Sequence, residues 1–167
     1  MRFARQRGAR LEEIAAIYRE RFDEFQRLAA SVSGAPDDAW DVVQDAFAKA
    51  VATRCRYRGE GPLEAWLWRA VVRSALNHRR ASERAPLTLA FEVADSLAGE
   101  LAVSDPDIRR ALERLSDRQR AAVFLRYYAD LDYASIGTVL GIRRGTVSAL
   151  LHAAHRNLRR SVAEARV

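Results

Sequence analysis

Hydrophobic residues recur at helical spacing along most of the chain, and this pattern predicts an all-α protein. In the first segment, apolar side chains follow three- and four-residue steps between Leu11 and Leu28, with charged residues between them. Such a period is typical of an amphipathic helix. A Gly-Ala-Pro sequence at 34–36 ends the pattern, and the carboxylates of Asp37 and Asp38 favour the start of a second helix.

Two further helices are predicted in the N-terminal half. The second runs to about Thr53 and places Trp40, Val43, Phe47 and Val51 on one face. The third begins near Pro62, a residue suited to the first turn of a helix, and ends in the basic cluster at 77–80. Residues 84–104 have weak periodicity, so we predict a flexible linker there.

The helical pattern resumes at residue 105 and contains a helix-turn-helix. Ser104-Asp105-Pro106 resembles a cap and first turn, and the apolar positions predicted to face a core after it are Ile108, Ala111, Leu112 and Leu115. Another helix starts after Ser116. A short helix from Tyr133 to Leu140, a turn at Gly141 and a longer helix from about Arg144 to Arg160 then predict the helix-turn-helix itself.

The charge distribution favours a polyanionic partner. The 167 residues carry a formal net charge of +6. Residues 1–83 contribute +3, residues 84–104 contribute −2 and residues 105–167 contribute +5. A weakly acidic strip therefore separates two basic modules, as expected for a nucleic-acid-binding protein.

Several classes of protein are disfavoured by the residues that the chain lacks. Cys55 is the only cysteine, which excludes an intrachain disulfide and a cysteine-rich metal site. His152 and His155 have no third ligand nearby, so we predict neither a metal nor a cofactor. We find no nucleophile-base pair or phosphate loop that would indicate an enzyme. No apolar stretch is long enough to cross a membrane, which favours a cytoplasmic protein without membrane insertion.

The longer helix of the helix-turn-helix carries the candidate DNA-reading residues. Side chains near the N-terminus of such a helix reach base edges in the major groove. Arg143, Arg144, Thr146, Ser148 and His152 are therefore the predicted readers, and Arg156 and Arg159 the predicted phosphate contacts. An ordinary helical hairpin with a solvated basic face is the alternative.

The sequence of this half resembles region 4 of bacterial sigma factors. The similarity lies in Leu-Ser-Asp-Arg-Gln-Arg at 115–120 and continues through Leu-Asp-Tyr-Ala-Ser-Ile-Gly at 131–137 to Gly-Thr-Val at 145–147. Gly137 stands where the family commonly has alanine. By itself this segment also resembles the helix-turn-helix of response regulators. The sequence of the N-terminal half is therefore needed to distinguish a sigma factor from a response regulator.

Residues 38–47, Asp-Ala-Trp-Asp-Val-Val-Gln-Asp-Ala-Phe, resemble the acidic signature A-x-D-x-x-Q-[DE]-x-F of sigma region 2. The resemblance implies that this helix binds the clamp of core RNA polymerase. The implied contacts are Asp41, Gln44, Asp45 and Phe47, with Val43 as a second apolar anchor. A solvated acidic face on a core helix is the alternative.

The third helix resembles the segment of region 2 that opens promoter DNA. Cations neutralise phosphates there and aromatic faces hold unstacked bases. The implied contacts with the downstream promoter element are Arg56, Tyr57, Arg58, Trp68, Arg69, Arg73, Asn77 and Arg80. Trp66 is expected in the core, and Trp68, two residues away, is expected to point outward and stack on a base.

Region 2, a short linker and region 4 follow in the order of the extracytoplasmic-function (ECF) group of sigma factors. The resemblance implies a region 2 bundle at 1–83, a linker at 84–104 and a region 4 helix-turn-helix at 105–167, joined in an all-α protein. It implies a promoter-specificity subunit whose partners are core RNA polymerase, double-stranded and locally melted promoter DNA, and an anti-sigma factor. Two alternatives remain: a sigma-like mimic that titrates an anti-sigma factor, and a conventional helix-turn-helix regulator.

Overall fold

The computed structural model describes residues 8–84 and 106–165, and these residues form seven α-helices without a strand. The helices are α1 (Leu11–Ser33), α2 (Ala39–Thr53), α3 (Leu63–Arg84), α4 (Pro106–Glu113), α5 (Asp117–Tyr127), α6 (Tyr133–Leu140) and α7 (Arg144–Ala165). Short 3-10 turns at Pro36–Asp38 and Arg54–Arg56 flank α2. The all-α prediction is confirmed. The predicted linker lies outside the described residues, except for Arg84 at the end of α3.

Local sequence signals account for several helix ends. Gly34 ends α1 with a left-handed φ of 72°, and its N–H donates to the carbonyl of Ala30. Ser116 and Gln119 form a reciprocal capping box at the start of α5. Each arrangement satisfies backbone groups that have no partner inside the helix.

The first three helices pack on one another around an aromatic cluster. Phe25 of α1 lies at its centre, with ring centroids 5.1 Å from Phe47 of α2 and 4.2 Å from Trp68 of α3. Leu28 and Val71 are also fully buried in this core. The three helices thus form the small bundle predicted for the N-terminal half.

The last four helices form a second bundle, in which α4, α5 and α6 all contact α7. Its interior contains Leu125, Ile136, Val147 and Leu151. The prediction that Ile108 faces the core is wrong, since 39% of its surface is exposed on α4.

The two bundles pack against each other through α3 with α6 and α1 with α5. The Arg120 guanidinium of α5 donates to the carbonyl of Ser31 in α1 at 2.8 Å. Arg79 of α3 forms an ion pair with Asp117 of α5 at 3.2 Å. Their buried residues form one continuous core, so the two sequence modules are joined by a packed contact as well as by the chain.

Candidate nucleic-acid and polymerase interfaces

The turn of the helix-turn-helix holds α6 and α7 close together. Gly141 adopts a φ of 67° and donates from its N–H to the carbonyl of Gly137. A Cβ atom on Gly137 would lie only 2.7 Å from the carbonyl oxygen of Ile142. Asp132 caps α6 by accepting from the N–H of Ser135 at 2.7 Å, and this hydrogen bond lowers the pKa of the Asp132 carboxyl. Capping and close backbone approach therefore fix the direction in which α7 leaves the turn.

Most of the predicted readers lie at the N-terminal end of α7, and His152 lies about two turns further along the helix. Arg143, Arg144, Thr146 and His152 are exposed, whereas Ser148 is half-buried. Val147 is fully buried and anchors this end of α7 in the bundle. The arrangement presents guanidinium and hydroxyl groups at the start of the helix and an imidazole about two turns along it, where such groups can meet base edges.

The predicted phosphate contacts lie further along the same helix. Arg156 and Arg159 are exposed about three and four turns beyond the start of α7. Half-buried His155 is engaged within the protein, because its Nε2 atom lies 2.9 Å from the hydroxyl of Tyr127. The cationic surface of α7 is therefore provided by its arginines.

A second basic surface follows α3. Arg69, Arg73, Asn77 and Arg80 are spaced by four, four and three residues, which places them on one face of the helix. Arg69 is half-buried and the other three are exposed. Arg69, Arg73 and Asn77 line a groove between α2 and α3 together with Lys49 and Trp66. This groove combines positive charge with an aromatic side chain, as do the binding sites of proteins that bind single-stranded nucleic acid.

The expected roles of the two tryptophans are reversed in the structure. Trp68 is fully buried against Phe25, and its Nε1 atom donates to Glu64 at 3.1 Å. It cannot stack on a base. Trp66 is half-buried instead and lines the basic groove. The sequence spacing could have indicated this outcome. Trp66 lies on the same helix face as Arg69 and Arg73, whereas Trp68 lies on an apolar face. The other residues of that apolar face are Val71, Val72 and Ala75.

The loop before α3 supports Trp66 and adds further cations. The ring of Tyr57 lies 5.8 Å from that of Trp66, and its hydroxyl donates to the carbonyl of Gly61. Burial, followed by the charge of Glu13, raises the pKa of the Tyr57 hydroxyl. Arg56 and Arg58 are exposed on either side of Tyr57. The predicted members of the downstream-element site other than Trp68 therefore remain available at the surface.

The outward face of α2 is acidic, as predicted, but its expected apolar anchors are absent from it. Phe47 is 7% exposed and contacts Tyr18 and Phe25, while Val43 is fully buried. Trp40, which was expected to share their face, is 53% exposed. Helix α2 packs against both α1 and α3, so its buried sector also includes Ala39, Val42, Ala46 and Ala50 and is displaced from Trp40.

The polar groups of this face differ in their surroundings. Asp41 is exposed, and half-buried Gln44 donates to the hydroxyl of Tyr18. Asp45 accepts from Lys49 and, at 2.8 Å, from Ser74 of α3. The hydrogen bond from Lys49, followed by that from Ser74, lowers the pKa of the Asp45 carboxyl. Asp45 is therefore ionised at neutral pH and is held in place by α3.

A cleft lies between the basic surface of α3 and the second bundle. Arg73, Asn77 and Arg80 of α3 line it from one side, and Arg118 and Gly141 line it from the other. Arg69 also lines a shallow depression with Arg143 and Arg144 at the start of α7. Within residues 8–84 and 106–165, no helix is long and apolar enough to cross a membrane, and no cluster of metal-ligating side chains occurs.

Comparison with protein families assigns both bundles. Residues 17–85 match the model of sigma-70 region 2, and residues 106–158 match that of sigma-70 region 4. The chain belongs to the sigma-70 family. Its members are promoter-recognition subunits of RNA polymerase rather than catalysts, and this sigma factor is accordingly a promoter-specificity subunit.

Similar proteins place the chain in the ECF group. The ECF sigma factor SigM of Mycobacterium tuberculosis is 34% identical over 135 residues, which cover 78% of this chain and 67% of the relative. The sigma factor SigV of Bacillus subtilis is 29% identical over 140 residues, covering 81% and 82%. The match to both regions favours this assignment over the conventional regulator and the mimic.

Solved structures agree on the fold. Bartonella quintana RpoE, solved in complex with the anti-sigma factor NepR, has a TM-score of 0.66 at 22% identity, with 91% of this chain and 95% of that one covered. CnrH, solved in complex with the cytosolic domain of CnrY, has a TM-score of 0.68 at 19% identity, covering 93% and 91%.

Proposed function

We propose that this sigma factor holds a promoter through two separate basic surfaces and holds core RNA polymerase through the acidic face of α2. The observation that carries the proposal is that exposed carboxylates lie on α2 and exposed guanidinium groups lie on α3 of the same bundle. Asp41 and Asp45 face outward on α2, whereas Arg73 and Arg80 face outward on α3. One small bundle can thus bind a basic protein surface and a nucleic acid at the same time.

The upstream promoter element would be read by α7 in the major groove. Arg144 and Thr146 would meet base edges, and Arg156 and Arg159 would meet phosphates. The downstream element would lie along α3 and the loop before it, where the melted strand would be held by Arg56, Arg58, Arg69, Arg73, Asn77 and Arg80. Trp66, supported by Tyr57, replaces Trp68 as the proposed stacking residue, because it lines the basic groove.

We further propose that an anti-sigma factor binds and regulates this chain, because the similar RpoE is solved in complex with the anti-sigma factor NepR and the similar CnrH in complex with the cytosolic domain of CnrY. Its place of action would be the cytoplasm, where polymerase and promoter DNA are found. No catalytic role of its own is proposed.

Run-off transcription with purified core polymerase tests the function directly. Addition of this sigma factor should produce transcripts from members of a promoter library, and core polymerase alone should not. Transcription from no promoter despite binding to core polymerase would instead favour the mimic. Failure to bind core polymerase would contradict the proposal that the acidic face of α2 binds the polymerase.

Two arginine variants of α7 separate base reading from phosphate binding. Arg144→Ala should cost about 1–3 kcal/mol and relax discrimination at its base pair, because a base contact depends on sequence. Arg159→Ala should weaken all promoters alike and lower the slope of log K against log salt by about 1, because one phosphate contact is lost. Arg19→Ala, an exposed position on α1, is the control of equal charge. Unchanged promoter preference in Arg144→Ala would refute its role as a reader.

A further inference from the structure

Helix α2 presents a large aromatic side chain at a position that the family signature leaves unspecified. Trp40 is 53% exposed, although tryptophan is usually among the most buried residue types in folded proteins. Phe47 and Val43, the apolar side chains expected to face a partner, are buried in the bundle. Among the described residues, Trp40 is therefore the one large hydrophobic side chain exposed on α2.

The surroundings of Trp40 are acidic on a chain whose net charge is positive. Asp37 precedes it in the 3-10 turn, Asp41 follows it, and Asp45 lies one turn further along the helix. Gln44 is four residues from Trp40, so the two side chains are neighbours on the surface of α2. Lys49 neutralises part of this charge through its ion pair with Asp45. The patch thus combines one aromatic group with a surplus of carboxylates.

This combination matches the composition of a protein-binding hot spot. Tryptophan is enriched where a few side chains provide most of the binding energy, and charged groups form the rim around them. Leu11, Ile108 and Tyr127 are also exposed, but they lie on α1, α4 and α5, outside the signature of region 2. The carboxylates select a basic partner surface, and the indole requires an apolar gap within it.

We propose that Trp40 is the main apolar contact of this sigma factor with core RNA polymerase. It enters an apolar gap in a basic surface of the polymerase, while Asp41 and Asp45 pair with cations at the edge of that gap. This inference rests on the proposed function of α2 and assigns the binding energy of that face to a particular side chain.

Equilibrium binding of the full chain to core polymerase tests the proposal. Cys55 is exposed and is the only cysteine of the chain, so it accepts a single dye for fluorescence anisotropy. Trp40→Ala should raise the dissociation constant about thirtyfold or more, the change that corresponds to the lower limit for a hot spot. Trp40→Phe should recover part of the affinity, because it restores an aromatic face. Leu11→Ala, at 49% exposure, removes a similarly exposed apolar group outside the patch and should bind as the wild type does.

Asp41→Arg distinguishes failure of this inference from failure of the proposed interface. If Asp41→Arg weakens binding while Trp40→Ala stays within twofold of the wild type, Trp40 is not the anchor and the acidic interface stands. If both variants bind core polymerase normally, α2 is not the interface and both proposals are wrong. A Trp40-dependent dimer of the isolated chain in sedimentation would assign the side chain to self-association and also overturn the inference.

Discussion

At the scale of single residues, Arg120 joins more parts of the molecule than any sequence motif suggested. It is 7% exposed, and its guanidinium donates to the carbonyls of Leu112, Glu113, Leu115 and Ser31. Burial, followed by the nearby Arg79, lowers the pKa of Arg120, but a guanidinium remains protonated in proteins. The planar guanidinium thus donates to backbone carbonyls at the C-terminal end of α4 and also to a backbone carbonyl of α1.

Replacement of Arg120 should be costly even when its charge is kept. A lysine cannot reproduce several fixed N–H directions, so Arg120→Lys should leave buried carbonyls without donors. We expect a loss of about 2–3 kcal/mol in the free energy of unfolding, measured by urea denaturation. Arg118→Lys, an exposed position two residues away, is the control and should change stability little. Equal stability of the two variants would contradict this role of Arg120.

Asp130 is held in a backbone conformation that suits glycine better. It has a φ of 52°, the one positive value at a non-glycine residue among those described. Asp130→Gly should therefore raise the free energy of unfolding by about 0.5–1 kcal/mol. Loss of its long, exposed ion pair with Arg126 should matter little. Thermal unfolding of Asp130→Gly and Asp130→Ala checks the explanation, because Asp130→Ala should not raise the free energy of unfolding.

At the scale of secondary-structure elements, the separation of α6 and α7 depends on the absence of one methyl group. Gly137 lies inside α6, where glycine is unfavourable for a helix, yet a Cβ atom there would meet the backbone of Ile142 at 2.7 Å. A backbone atom cannot move aside as a flexible side chain can. The backbone of the turn therefore occupies the space that the Cβ atom of an alanine at position 137 would need.

The same substitution at two glycines should have opposite effects. Gly137→Ala should lower the free energy of unfolding by about 1–3 kcal/mol, because overpacking exceeds the gain in helix propensity. Gly145→Ala, in the first turn of α7 with nothing within 4 Å of its Cβ position, should raise it by up to about 1 kcal/mol. Denaturant unfolding of both variants decides the matter. Stabilisation by Gly137→Ala would mean that the turn can relax.

At the scale of the whole molecule, the two bundles lie in a closed arrangement. Side chains proposed for the two promoter elements line one cleft and one adjoining depression. If the proposed surfaces hold both promoter elements at once, the bundles have to move apart, because two separate stretches of DNA duplex do not fit in that space. The contacts that resist this movement are the α3–α6 packing, the Arg79–Asp117 ion pair and the hydrogen bond from Arg120 to Ser31.

Reversal of one charge at this contact should favour the open arrangement. Asp117→Arg replaces attraction to Arg79 with repulsion, so the radius of gyration in small-angle X-ray scattering should rise. Asp23→Arg, an exposed change on α1, is the control. The swapped pair, Arg79→Asp with Asp117→Arg, should return part of the compactness. An unchanged radius in Asp117→Arg would mean that apolar packing alone maintains the closure.

Features that depend on neighbours along the chain were predictable from the sequence. The starts and ends of the helices follow from apolar period, caps and glycines such as Gly34 and Gly141. Sigma family membership follows from motifs whose order is itself part of the sequence. Most predicted site residues also lie at the surface, because charged side chains such as Arg73 and Arg159 are costly to bury without a partner.

Features that depend on which neighbour covers a helix face were decided by tertiary structure. Trp66 and Trp68 are equally apolar, and only the packing of α3 on α1 and α2 selects Trp68 for the core. The same packing buries Phe47 and leaves Trp40 exposed. The sequence thus determined the helices, the turn and the family through local and ordered signals. The tertiary structure decided which face of each helix is buried, how the two bundles pack together and which carbonyls Arg120 binds. These features depend on contacts between residues far apart in the chain.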